Sequence, residues 1–208
     1  MNMNNIGRLL LLLGSMLFLR HSLAQEVTPP DVLVKAVTLE VVDLISKDKD
    51  IQAGNRARLL QVIDAKVLPH FDFDSMTALA MGQNWRATTP EQKKQLVESF
   101  RTLLVRTYAS ALAAYSEQKF DFRPLRAKPT DTDVTVQVRV LQPGAQPVPI
   151  DYSMERTPAG WKVYDVMVGG VSLVANYRTE FATVVRANGV DKLIKDLQAK
   201  NRSLEQKK

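Results

Sequence analysis

The chain has 208 residues, 45% of them hydrophobic, with 28 basic and 22 acidic side chains and no cysteine. Without cysteine there is no thiol catalysis, no thiolate metal site and no disulfide framework, so stability has to come from packing. The formal charge of +6 is spread among interleaved acids, compatible with brief visits to anionic surfaces and unlike the concentrated basic face of a nucleic-acid binder.

At the N-terminus, Arg8 precedes the apolar run Leu9 to Leu19, and Ser22-Leu23-Ala24 places small residues where a signal peptidase reads. The run is about eleven residues, against the roughly 20 needed to span a bilayer. A cleaved leader over residues 1–24 is therefore expected, followed by one domain over residues 25–208. With no cysteine at the new N-terminus, a lipoprotein is not expected. Loss of Arg8 and Arg20 with the leader lowers the formal charge from +6 to +4.

The first predicted helix runs from Pro30 to Ile45, with Val34, Val37, Val41, Leu44 and Ile45 at helical spacing. After a polar break over Ser46 to Asn55, a second helix carries Leu59, Leu60, Val62, Ile63 and Val67 and stops at Pro69. A third spans about Phe73 to Met81 and closes at Gly82. The fourth has the plainest signals: Thr89 as N-cap, Pro90 at the first helical position and Gln92 completing a capping box. Its apolar stripe runs from Leu96 through Phe100, Leu103, Leu104, Tyr108 and Leu112 to Tyr115, and suits either a core or a wall beside a cavity.

Strands follow. Phe120 and Phe122 begin one; Val134, Val136, Val138 and Val140 alternate with polar residues in the next; Val148, Ile150, Tyr152 and Met154 do so in a third. A fourth contains Trp161, Val163, Tyr164, Val166, Met167 and Val168, with turns at Pro143-Gly144 and Pro158-Ala159-Gly160. This predicts a four-stranded antiparallel meander with one apolar face. Gly169-Gly170 is read as a strand-to-helix corner, with Ser172 as N-cap of a helix reaching Arg186 and Asn188-Gly189 as an αL stop before a last helix from Asp191 to about Arg202. The fold class is α+β, the sheet packed against N-terminal and C-terminal helices.

The string WKVYDVMVGGVSLVANYR, the blocks Phe71-Asp72-Phe73 with Met76-Thr77, Gly82-Gln83-Asn84-Trp85-Arg86 and Thr89-Pro90-Glu91-Gln92, and the Asn188-Gly189-Val190-Asp191 turn together resemble the MlaC family. This family, also called toluene-tolerance proteins, ferries phospholipid through the periplasm of Gram-negative bacteria. The resemblance spans roughly Pro30 to Lys200 and implies an NTF2-like cone with an apolar cavity between sheet and helices. It also implies a non-catalytic phospholipid shuttle that maintains outer-membrane lipid asymmetry, with glycerophospholipid as ligand and no cofactor. Two partners are implied: an inner-membrane ABC transporter complex with a ring of substrate-binding subunits, and an outer-membrane lipoprotein–porin complex.

Such a carrier needs an apolar wall. The candidates are Leu104, Tyr108 and Leu112 on the long helix, Val136, Val138, Ile150, Tyr152, Val163, Val166 and Met167 on the strands, and Val171 and Val174 at the corner. Trp85 and Arg86 form either an aromatic plug with a surface charge or an amphipathic rim with the arginine near a phosphate. Asp165 interrupts an apolar strand, so it is either held by a partner such as Arg178, Arg123 or Tyr177, or is a polar group at the mouth. Arg178 completes the rim set.

Two other classes stay open: a periplasmic adaptor with a solid core, and an NTF2-like enzyme using His70, Asp165 or Tyr164 as acid and base. No nucleophile elbow, zinc-protease helix or phosphate-binding glycine loop supports the enzyme, and no catalytic or metal-ligating residue is assigned.

Overall fold

The computed structural model describes residues 27–114 and 118–206; the leader expected over residues 1–24 and Tyr115 lie outside them. The chain begins with α1 (Pro30–Lys47), a short α2 (Lys49–Gln52), α3 (Arg56–Lys66), α4 (Phe73–Met81) and the long α5 (Pro90–Ala114). A sheet follows, from β1 (Lys119–Phe122), β2 (Asp133–Leu141), β3 (Val148–Thr157), β4 (Gly160–Val168) and β5 (Val171–Ser172). The last elements are α6 (Arg178–Asn188) and α7 (Val190–Gln206). Among the described residues no helix is long and apolar enough to cross a membrane.

Local chemistry accounts for the helix starts. The Asp48 carboxylate accepts the N–H groups of Asp50 and Ile51, turning part of the predicted polar break into α2 and burying Ile51. At α5 the capping box closes in both directions, with Thr89 N–H donating to Gln92 (3.1 Å) and Gln92 N–H to Thr89 (3.2 Å). The Gln92 amide also donates to Asp191 at 2.7 Å, tying the start of α5 to the start of α7.

The sheet is an antiparallel meander in the order β1-β2-β3-β4-β5. On β2, Val134, Val136, Val138 and Val140 are buried and the residues between them exposed. Pairing sets Val136 opposite Tyr152, Val138 opposite Ile150, and Tyr152 opposite Val166, all on the inner face. Three cores result. One joins the inner face of the sheet to Val34 of α1; one joins α4 to α7 around Phe100, Phe181, Leu96 and Met81; the third joins α1, α3 and Ala109 of α5. The Phe100 ring meets Tyr177 and Phe181 edge-on at 5.2 and 5.3 Å.

Two features of β4 differ from expectation. Ser153 pairs with Asp165 and Met154 with Val163, leaving Tyr164 as an extra residue in a β-bulge. The bulge resets the alternation, so Val163 and Val166 share the inner face although three positions apart. The sheet also has a fifth strand, because Gly169-Gly170 forms a two-residue hairpin rather than a strand-to-helix corner: Val168 pairs with Val171 and Met167 with Ser172. Both glycines have positive φ, 58° and 85°, as a type I′ turn requires. The helix expected from Ser172 consequently begins later, after a 3₁₀ turn over Ala175–Tyr177. At its end Gly189 has φ 79° but ψ 172°, an extended glycine conformation and not the expected αL stop.

The hairpin is testable. A Cβ on Gly170 would meet nothing within 4 Å, so its cost is backbone strain alone. Gly170→Ala should destabilise the protein by about 1–2 kcal/mol in urea unfolding, and an unchanged midpoint would contradict a positive-φ turn here.

Candidate functional site

The predicted wall is divided among the three cores. Val136, Val138, Ile150, Val163 and Val166 belong to the sheet core, with half-buried Tyr152 packed against it. Burial pushes the Tyr152 phenol up to about 12, opposed by its hydrogen bond with Thr38 of α1. Leu104 and Val174 lie in the helical core with Tyr108 beside them, and Leu112 packs against the third core. Phe71 packs against both the sheet core and the helical core, and its backbone bridges to Val163. The junction continues at the next crossing of the chain, where Leu173 packs on the sheet core and Val174 enters the helical core.

Two wall candidates are misplaced. Met167 pairs with Asp151 and Ser172 on the outer face and is 37% exposed, because the bulge at Tyr164 shifts the alternation by one. Val171 stands at the hairpin tip, 56% exposed, because β5 is too short to carry it under the helices.

Asp165 is on the outer face too, yet only 9% exposed. Its partner is none of the predicted Arg178, Arg123 or Tyr177. One carboxylate oxygen accepts the N–H of Val166 at 2.8 Å and of Val174 at 3.4 Å, and the other accepts the Ser172 hydroxyl at 2.6 Å. The Ser172 oxygen in turn accepts from the N–H of Ala175 at 2.8 Å and of Val174 at 3.2 Å, so it caps the 3₁₀ turn that leads to α6. The carboxylate therefore holds the corner where the chain leaves the sheet.

The acid–base set does not assemble. Asp72 caps α4 through the Ser75 N–H at 2.9 Å. His70 sits in a 3₁₀ turn where burial, then Lys162, lowers its pKa. Tyr164 donates to the Asp133 carboxylate on the outer face, and its phenol is raised by burial first and by Asp133 second. Among the described residues no group of three His, Asp or Glu side chains could hold a metal ion.

The rim residues separate. Half-buried Trp85 packs against the helical core, with Lys93 Nζ 4.9 Å from its ring centre. Arg86 and Arg178, 92 positions apart in sequence, are brought to one side of α4 at a depression of about 560 Å³ floored by Ala78 and Leu79. An adjoining depression of about 630 Å³ shares Gly82, Gln83 and Arg178 and adds Arg186. Gly82 makes the approach possible: a Cβ there would stand 3.0 Å from Arg178 Nε. Sequence reasoning missed Arg186, although its spacing of eight from Arg178, through Ala182, sets all three on one face of α6.

A family model described as MlaC protein matches residues 35–199. The chain belongs to the MlaC protein family. Among MlaC-family relatives, the toluene tolerance protein ttg2D of Pseudomonas putida is 28% identical over 165 residues, covering 79% of this chain and 76% of the relative. The intermembrane phospholipid transport system binding protein MlaC of Haemophilus influenzae is 24% identical over 159 residues, covering 72% and 74%. A solved structure of a phospholipid-binding protein from Ralstonia solanacearum, in complex with a phospholipid, is 39% identical, with a TM-score of 0.78 over 85% of this chain and 98% of that one.

Asp165→Ala should cost about 3 kcal/mol, since it leaves the Ser172 hydroxyl and the Val166 N–H without their acceptor, whereas Ser172→Ala should cost about 1 kcal/mol. Denaturant unfolding of both variants checks this, and equal small losses would mean that the carboxylate does not hold the corner.

Proposed function

We propose that this chain is a non-catalytic periplasmic carrier of glycerophospholipid, taking up the acyl chains between sheet and helices and keeping the headgroup at the surface. The observation that carries the reading is the likeness, over nearly the whole length of the Ralstonia protein, to a structure with phospholipid bound. The layout of apolar side chains supports it. The sheet core and the helical core are separate groups of buried side chains, with half-buried Phe71 against both and half-buried Leu173 beside Val174 at the crossing. A seam closed by few side chains can part around an apolar chain at less cost than one interdigitated core.

Transfer energetics fix what a carrier must do. At about 0.8 kcal/mol per buried CH₂, exposing one sixteen-carbon chain to water costs roughly 12 kcal/mol, so the tails stay covered from donor to acceptor. Handover then takes place in direct contact with membrane complexes. The partners are an inner-membrane ABC transporter complex with a substrate-binding ring and an outer-membrane lipoprotein–porin complex, and the outcome served is outer-membrane lipid asymmetry. The leader over residues 1–24 fits export to the periplasm. The dispersal of His70, Asp165 and Tyr164 among separate structural roles favours carriage over catalysis.

Leu173→Glu tests the reading at the seam. Its half-buried position lets the carboxylate reach water, so the fold should be retained by circular dichroism. Extraction of labelled phospholipid from donor vesicles should fall at least tenfold. Extraction at the wild-type level would remove the seam as the tail site.

A further inference from the structure

We propose that Arg86, Arg178 and Arg186, gathered around Gly82 between α4 and α6, form a site for a phosphate ester carried on an apolar body. The proposal rests on the carrier reading for the identity of that body, a diacylglycerol. No carboxylate lines either depression. Among the described residues none of the three guanidinium groups makes an ion pair, which they share with Arg126, Arg139, Arg156 and Arg202, while Arg58, Arg101, Arg106 and Arg123 each do. The carbonyl end of α4 accounts for one cation beside Gly82 through the helix dipole, but not for Arg178 being joined by Arg86 in one depression and by Arg186 in the next.

Gly82 brings one of these cations close to the backbone. Gly82, at φ 55° and ψ −130°, takes a conformation that favours glycine and lets the Arg178 guanidinium lie against its backbone. A guanidinium group held there offers paired N–H donors of the kind that bind two oxygens of one phosphate. The Gln83 and Asn84 amides add neutral donors, and Leu79, Met81 and Val185 add an apolar floor. Free inorganic phosphate would use the guanidinium groups alone, whereas a phospholipid headgroup with the start of its acyl chains would use the floor as well. A concave site that sets guanidinium and amide donors beside apolar side chains fits a small amphiphile better than a flat acidic protein surface.

The test uses dihexanoylphosphatidylglycerol below its micelle concentration, with neutral dihexanoylglycerol, glycerol 3-phosphate and inorganic phosphate as comparisons, in calorimetric titration of the delipidated protein. The Arg86→Gln/Arg178→Gln double variant should bind the phospholipid at least tenfold more weakly and lose most of the salt dependence, with dihexanoylglycerol affinity unchanged. Arg178→Lys, which keeps the charge and removes the fork, should fall between. Glycerol 3-phosphate or inorganic phosphate binding as tightly as the phospholipid, with the same arginine dependence, would support the site and make its ligand the free anion. Phospholipid affinity undiminished in the double variant would overturn the site while leaving tail binding intact. So would a loss shared equally by the neutral lipid, or a loss of transfer to acceptor membranes with phospholipid binding unchanged, which would make the cleft a protein-docking surface. Arginine-dependent phosphate binding without any dihexanoylglycerol binding would sink the tail reading and keep the cleft; no binding of any probe would overturn both.

Discussion

The Asp165 carboxylate occupies a nearly dehydrated position, which is tolerated only when its oxygens are engaged by donors. Those donors come from both sides of the Gly169-Gly170 hairpin: the Val166 N–H before it, the Ser172 hydroxyl and Val174 N–H after it. Satisfying one buried charge therefore fixes the direction in which the chain leaves the sheet. Downstream of that corner, Leu173 meets the sheet core, Val174 enters the helical core, Tyr177 and Phe181 reach Phe100, and Arg178 comes to lie against Gly82. Both cores and the arginine cleft take residues from the segment that these hydrogen bonds hold to the sheet.

The helical side is tied together polar group by polar group as well as by packing. Asn201, buried in the α5–α7 contact, donates its amide to the Ser99 carbonyl at 2.8 Å, and Arg106 donates to the Asn201 carbonyl at 2.6 Å while pairing with Glu205. Its side-chain oxygen is a buried acceptor without a hydrogen-bond partner among the described residues. The Gln92–Asp191 bond closes the other end of the same helix pair. These bonds tie α5 to α7, whereas at Phe71 and Leu173 the two cores are joined by half-buried side chains, the seam that the proposed carrier would open.

Much of the fold was legible because local chemistry and tertiary environment agree. The alternating valines of β2 match its burial residue by residue, and the Thr89–Gln92 capping box marks the start of α5. The misreadings lie where pairing between strands, not local pattern, decides the outcome. A β-bulge leaves no period of its own, so the extra residue at Tyr164 could not be inferred from alternation, and Met167 was assigned to the wrong face. Gly-Gly serves a hairpin as well as a corner, and the hairpin is chosen by the pairing of Val168 with Val171. The rim was legible in residue type only. Arg86 and Arg178 were named from chemistry, but their meeting, and the addition of Arg186, follow from the packing of α4 on α6.

Native mass spectrometry of the exported protein, purified without detergent and followed by solvent extraction, tests the central claim most directly. The carrier account predicts a mass excess over the leaderless chain that resolves on extraction into glycerophospholipid. A bare protein mass that persists after incubation with phospholipid donor vesicles would contradict it and favour a solid-cored adaptor.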